Sequence, residues 1–218
     1  MSVDSLQKIK ELRLKTGAGM MSCKKALQDS NGDIGKACEI LRQKGLASAS
    51  KKAHRRTTEG IIKSYIHAGS KIGVMVEINC ETDFVSRRVE FQELSHNIAM
   101  QIAACPNVEY IDIKHIPQIV IDKEKQIESK KDDLSNKPEA IRDQIIEGRI
   151  NKRLNEISLL NQPFIRNNDI SVKDLINQNI ALMGENIQIR RFVRFVLGQS
   201  QENTVNNLTE EVKSILKS

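Results

Sequence analysis

Apolar residues follow two different rhythms along this chain, and the change of rhythm divides it. From Leu6 to Leu41 they recur at intervals of three and four: Leu6, Ile9 and Leu12, then Cys23, Ala26 and Leu27, then Ile34, Ala37, Cys38 and Leu41. That spacing lines one face of an α-helix. Three short helices are predicted, capped by Asp4 or Ser5, by Ser22 and by Asp33, and stopped at Gly17, at Asn31-Gly32 and at Gly45. A unit of this size buries little surface, although comparable domains fold.

After a small, basic stretch the rhythm shortens. Residues Gly60 to His67 and Ile72 to Asn79 are rich in β-branched side chains, and Ala68-Gly69-Ser70 between them turns the chain, which predicts a hairpin. Ser86 opens a helix with Phe91, Leu94, Ile98 and Ile102 on one face, ended by Pro106. An extended piece near Val108 to Ile111 and a charged helical segment over 122–133 come next. Pro138 suits the first position of a further helix with Ile141, Ile145 and Ile146 inward; Gly148 interrupts it without necessarily ending it. Ser171 and Gly184 bracket another helix. Ile187 to Val196 mixes basic and apolar residues as a strand with one wet face does. Leu208, Val212, Ile215 and Leu216 predict a last helix. The fold class is α+β: a three-helix unit at 1–46, a basic connector at 47–58, a core at 59–200 in which helices pack a small antiparallel sheet, and a helical tail at 201–218.

Composition narrows the function. The chain has 218 residues, 39% hydrophobic and 28% charged, with a net charge of +6 from 34 basic and 28 acidic residues. Both signs are interspersed, which describes a solvated surface rather than the one-sided basic face of a nucleic-acid binder. Lys51, Lys52, Arg55 and Arg56 are the densest basic cluster. They can touch phosphate, yet no aromatic is interleaved to stack a base, so a solvated connector is the simpler reading. The amino terminus carries no secretory signal, and no run reaches the roughly 18 apolar residues of a membrane span. Cys23, Cys38, Cys80 and Cys105 show no C-x-x-C pairing and fit buried small hydrophobes in a reducing compartment. An aqueous interior is expected.

Catalytic chemistry finds no frame. His54, His67, His96 and His115 are scattered, without metal-ligand spacing. Gly32-Asp33-Ile34-Gly35-Lys36 lacks the spacing of a phosphate loop, and no nucleophile elbow is present. No covalent catalysis, no metal and no cofactor are expected, and a binding protein is the default. The stretch that stands apart is Cys80-Glu81-Thr82-Asp83-Phe84-Val85, where a strand runs into a helix with an acid and a large aromatic side by side. The chain has only seven aromatic residues. Two readings of Phe84 stand at this point: a plug for the core beneath the turn, or a contact residue held out by the scaffold.

Two segments carry a resemblance. Residues Leu12-Arg13-Leu14-Lys15-Thr16-Gly17-Ala18-Gly19-Met20-Met21-Ser22-Cys23-Lys24-Lys25-Ala26-Leu27 and Glu77-Ile78-Asn79-Cys80-Glu81-Thr82-Asp83-Phe84-Val85 resemble, in order, the two signatures of translation elongation factor Ts. Glu147-Gly148-Arg149-Ile150 and Leu160-Asn161-Gln162-Pro163-Phe164 extend the similarity along the chain.

The resemblance implies a guanine-nucleotide exchange factor that binds elongation factor Tu with GDP, displaces magnesium and lets GTP enter. It implies a ubiquitin-associated-like fold for the three-helix unit, with Arg13, Met20 and Met21 in contact with the partner's nucleotide-binding domain. Thr82, Asp83, Phe84 and Val85 would form the element that intrudes near the partner's magnesium, which favours the contact reading of Phe84. The chain has room for one core, not the two related halves of longer family members. That implies a homodimer in a two-to-two complex, with the closing strand or its neighbours at the interface. No direct nucleic acid and no membrane are expected as partners. A bacterial cytoplasm or a plastid stroma is the implied location. The alternative is a basic RNA- or ribosome-associated protein.

Overall fold

In the N-terminal unit, α1 (Val3–Thr16), α2 (Met20–Asp29) and α3 (Ile34–Lys52) pack around Ile9, Leu12, Cys23, Ala26, Leu27 and Ala37. These are positions that the spacing picks out; of the others it picks, Ile34, Cys38 and Leu41 are half-buried against this core and Leu6 stays exposed. The computed structural model describes residues 3–131, 133 and 138–199; the helix expected in the tail lies outside the described residues. Asp33 caps α3, its carboxylate accepting the Lys36 N–H at 3.0 Å. Two other expected caps are displaced. Asp4 and Ser5 lie inside the first turn of α1. Ser22 lies inside α2, because Gly17 at φ +66° and an extended Gly19 complete the reversal early and Met20 already starts the helix.

Gly45 does not end α3. A glycine inside a helix costs about 1 kcal/mol relative to alanine, and here the missing side chain admits a neighbour. A Cβ on Gly45 would lie 3.3 Å from the Ala181 Cβ, on the helix over Val172–Met183. Half of the expected connector is therefore helical: 47–52 continue α3, and 53–58 lead into the sheet.

The remaining elements are β1 (Glu59–Ile66), β2 (Ile72–Cys80), a single turn α4 (Asp83–Ser86), α5 (Val89–Ala104), α6 (Gln118–Ser129), α7 (Glu139–Ile157), β3 (Pro163–Phe164), β4 (Asn167–Ser171), α8 (Val172–Met183) and β5 (Gln188–Val196). The hairpin forms as expected, with Glu59 opposite Cys80 and Ile66 opposite Gly73, turning through Gly69 and Ser70 at positive φ. Strand β5 adds antiparallel to the other edge of β2, giving the order β1-β2-β5. Ser86, expected to start the long helix, instead closes α4; Arg88 is the residue that precedes α5. The charged segment forms α6 four residues earlier than expected, and α7 runs through Gly148.

Strict alternation in β2 builds the main core. Val74, Val76, Ile78 and Cys80 are buried against Phe91, Leu94, Ile98 and Ile102 of α5 and against Val172, Ile176, Ile180 and Met183 of α8. Helix α8 is bounded as the sequence suggests, by a reciprocal Ser171–Asp174 capping box and by Gly184 in the left-handed region. Helices α6 and α7 keep a smaller core of their own around Ile146, Ile150, Leu154 and Ile157. Buried Gln101 ties α5 to the short β3–β4 ribbon: its amide donates to Gln162 Oε1 and to the Pro163 carbonyl, and its oxygen accepts the Ile165 N–H at 2.8 Å. Among the described residues, no helix is long and apolar enough to cross a membrane.

Candidate functional site

At the end of β2 the chain must leave a strand buried on one face and turn within two residues. Glu81 and Thr82 make that turn, and their polar groups are satisfied from a distant segment. The Glu185 carboxylate, just beyond α8, accepts the Glu81 N–H at 3.1 Å, the Thr82 N–H at 3.0 Å and the Thr82 hydroxyl at 2.6 Å. The Glu81 carboxylate in turn accepts the Asn186 N–H at 2.7 Å, with the Arg55 guanidinium 3.5 Å away. Asn186, buried, donates its side-chain amide to the carbonyls of Arg55 at 2.9 Å and Ala53 at 3.4 Å. Burial pushes the Cys80 thiol up to about 11, and the nearby Glu185 charge adds to the shift; the thiol stays neutral and donates to the Thr82 carbonyl at 3.1 Å.

Onto this fixed turn is built α4. Val85 is turned inward and belongs to the main core, so of the four expected contact residues it anchors the corner and does not present itself to solvent. Phe84 is 79% exposed. The core-plug reading of Phe84 is overturned, because one helical turn puts Val85 and Ser86 on the buried side and Phe84 on the other. Asp83 lies beside it and pairs with Arg87 at 2.9 Å, an exposed ion pair of small energetic weight. Val89, also well exposed, follows within five residues of Phe84. The aromatic ring thus stands in water on a backbone held by its neighbours.

Arg13, Met20 and Met21 are exposed on the N-terminal unit, whose core is distinct from the one beneath Phe84. Met21 is 74% exposed, and Leu14, not singled out in the sequence, is more exposed still. Helix α3 packs against α8, joining this unit to the core; Gly17 approaches Leu182 as Gly45 approaches Ala181. In the connector, Lys52 reaches the Ser48 hydroxyl and Arg55 leans on Glu81, so the basic cluster is partly engaged within the fold. Among the described residues no group of three or more His, Cys, Asp or Glu side chains could hold a metal.

A further apolar surface lies on the sheet face opposite the helices. Cross-strand rows there read Ile66–Gly73–Phe195, Ser64–Met75–Val193 and Ile62–Glu77–Arg191, the last closed by an Arg191–Glu77 ion pair at 2.7 Å. Phe195 is 58% exposed, and Ile62, Ile66, Met75 and Val193 are exposed with it. The wet face expected for β5 is exposed, and on it Val193 and Phe195 stand in line with Arg191.

The chain thus presents an exposed ring on a latched corner and exposed apolar residues on a helical unit. The family model described as elongation factor TS matches residues 2–199, and the chain belongs to the elongation factor Ts family, a family of translation elongation factors. It is 62% identical over 213 residues to the chloroplastic elongation factor Ts of Rhodomonas salina, covering 98% of this chain and 97% of that one. It is 62% identical over 204 residues to elongation factor Ts of Gloeothece citriformis, covering 94% of this chain and 71% of that one. With elongation factor Ts of Synechococcus elongatus it shares 58% identity over 208 residues, 95% and 94% of the two chains.

Glu185 and Asn186 escaped the sequence reading. They lie about a hundred residues from the corner they hold, in a turn with no periodicity, and only the return of β5 beside β2 brings them there.

Proposed function

We propose that this chain is a guanine-nucleotide exchange factor for elongation factor Tu, acting in a plastid stroma or a bacterial cytoplasm. The observation that carries this reading is Phe84, a fully formed apolar contact projecting beside Asp83 from a corner whose backbone is already ordered. The N-terminal unit docks first on the partner's nucleotide-binding domain, through Arg13 and the adaptable side chains of Met20 and Met21. The corner at Thr82, Asp83 and Phe84 then intrudes near the bound magnesium ion, which neutralises phosphate charge on GDP. Wedging the ring between partner helices shifts the groups that position the ion, and nucleotide affinity falls when the ion leaves. Coupling is reciprocal, so incoming nucleotide weakens the factor's grip by the same ratio and expels it. No bond is made or broken by this chain.

The apolar sheet face supports the homodimer that the resemblance implies. A row such as Ile66–Gly73–Phe195 on a two-fold interface packs against its own copy, and a protein with two such copies binds two partners.

The test is release of fluorescent GDP from elongation factor Tu in the presence of magnesium, with wild-type protein, Asp83→Ala and Phe84→Ala. Strong acceleration by the wild type and weak acceleration by the folded variants is the expected result. A wild type that leaves the release rate unchanged sinks the proposal. Acceleration retained by both variants keeps the function and moves its site away from the corner.

A further inference from the structure

We infer that Glu185 is a positioning residue for the exchange element: from the turn between α8 and β5 it holds the Thr82–Phe84 corner in its projecting conformation. The inference rests on the reading of that corner as the exchange element. Its basis is the way three donors converge on one carboxylate. Oε2 takes the consecutive N–H groups of Glu81 and Thr82, and Oε1 takes the Thr82 hydroxyl. Threonine at the residue before a helix commonly turns its hydroxyl back to cap the first turn. Here Thr82 is the capping residue of α4 by position and makes no side-chain cap, because Glu185 has claimed the hydroxyl.

The hold is needed because α4 has four residues, too few to sustain a helix alone. Val85 fixes its inner side and the buried Cys80 thiol holds the Thr82 carbonyl, while the N–H groups of Glu81 and Thr82 at the entry from β2 are held by Glu185. The two carboxylates cross that entry in opposite directions: Glu185 grips the backbone of residues 81 and 82, and Glu81 grips the backbone of Asn186. Arg55 beside Glu81, and the Asn186 amide on the carbonyls of Ala53 and Arg55, extend the latch to the end of α3. Thr82 is exposed, so water can replace every bond that Glu185 makes to it. Removing the carboxylate therefore changes conformational freedom far more than stability.

The experiment compares wild type, Glu185→Ala and Glu185→Gln in two measurements. Amide hydrogen exchange on the free protein reads the latch directly: Glu81 and Thr82 exchange faster in Glu185→Ala, while Val76 and Ile78 keep wild-type protection. GDP release at varied factor concentration reads the consequence. Docking through the N-terminal unit is untouched, so the half-saturating concentration stays within about twofold, whereas the maximal rate falls about tenfold. Glu185→Gln falls less, since its amide oxygen still accepts both N–H groups and its NH2 donates to the Thr82 hydroxyl; it also carries the test if Glu185→Ala does not fold. Unchanged exchange at Glu81 and Thr82, an unchanged maximal rate, or a rise in half-saturation alone overturns the inference. A wild type that does not accelerate release defeats the exchange reading instead, and the amide measurement still decides whether Glu185 orders the corner.

Discussion

Two phenylalanines seven residues apart make a matched pair of probes. Phe91 is fully buried under the sheet and Phe84 is 79% exposed. Truncating a buried phenylalanine to alanine costs about 3–5 kcal/mol, from lost transfer energy and from the cavity left behind. Phe91→Ala is therefore expected to lower the melting temperature by about 6–20 °C, at about 2–4 °C per kcal/mol for a chain of this length. Full burial of a phenylalanine is worth about 1.5–3 kcal/mol. Roughly a fifth of that is realised at Phe84 in the free protein, so Phe84→Ala is expected to cost no more than about 0.6 kcal/mol of stability.

The unrealised four fifths is what a partner can gain by covering the ring. That share is about 1.2–2.4 kcal/mol, a loss of about eight- to fiftyfold in exchange efficiency for Phe84→Ala. Urea titration followed by circular dichroism measures the first quantity, and stopped-flow release of fluorescent GDP measures the second. A Phe84→Ala variant that loses more than about 2 kcal/mol of stability would place the ring in the core and refute the structural part. One that folds normally and keeps exchange within about twofold of wild type would refute the functional part.

Three other outcomes follow from separate features. Phe195→Lys puts a charge on the apolar sheet face and is expected to convert a dimer into a folded monomer in sedimentation velocity; a wild-type monomer at micromolar concentration would remove the dimer proposal. Gly60→Ala is expected to cost more than about 2 kcal/mol in a thermal melt, because Gly60 sits at φ +148° and a Cβ would fall 2.2 Å from the Ile78 carbonyl oxygen; near-wild-type stability would contradict the strand register. The Cys80 thiol titrates at about 11 in the fold against an ordinary 9.0, so the folded state holds the proton more firmly over that interval. Stability is unaffected below pH 9 on this account and declines as pH rises toward 11. The wild-type decline over pH 9–11 is expected to exceed that of Cys80→Ala, and equal declines would refute the assignment.

What was legible in the sequence was whatever a period or a cap encodes locally. The alternation of Val74, Val76 and Ile78, the i, i+3, i+7 face of α5, and the Ser171 and Gly184 bounds of α8 all form as read. The misread end of α3 has a non-local cause, a stop signal that answers to a distant neighbour. Gly45 reads as a helix end because its packing against Ala181 is invisible from residue 45. The β3–β4 ribbon, a two-residue Pro-Phe strand paired with a polar and irregular one, carries no alternation and is held instead by the buried Gln101. Phe84 was ambiguous because its neighbours allow either face; only the inward turn of Val85 decides which residue faces water.

If the chain acts as the exchange factor proposed above, the latched corner bears on how it leaves its partner. A contact that orders on binding loses chain entropy when it forms, and it needs a larger interface to reach the same affinity. Here the ordering is complete in the free chain, through Glu185, Glu81 and Asn186. A small set of apolar groups, Phe84 with Asp83 beside it and Met20 and Met21 on the helical unit, can then suffice for productive docking. Small contact area on rigid elements also lets a modest opposing free energy break the complex. Nucleotide binding supplies that opposition by reciprocity. On this proposal, loosening the latch slows the productive insertion without strengthening the dead-end complex, so the maximal exchange rate, and not the half-saturating concentration, is the quantity that Glu185 is expected to change.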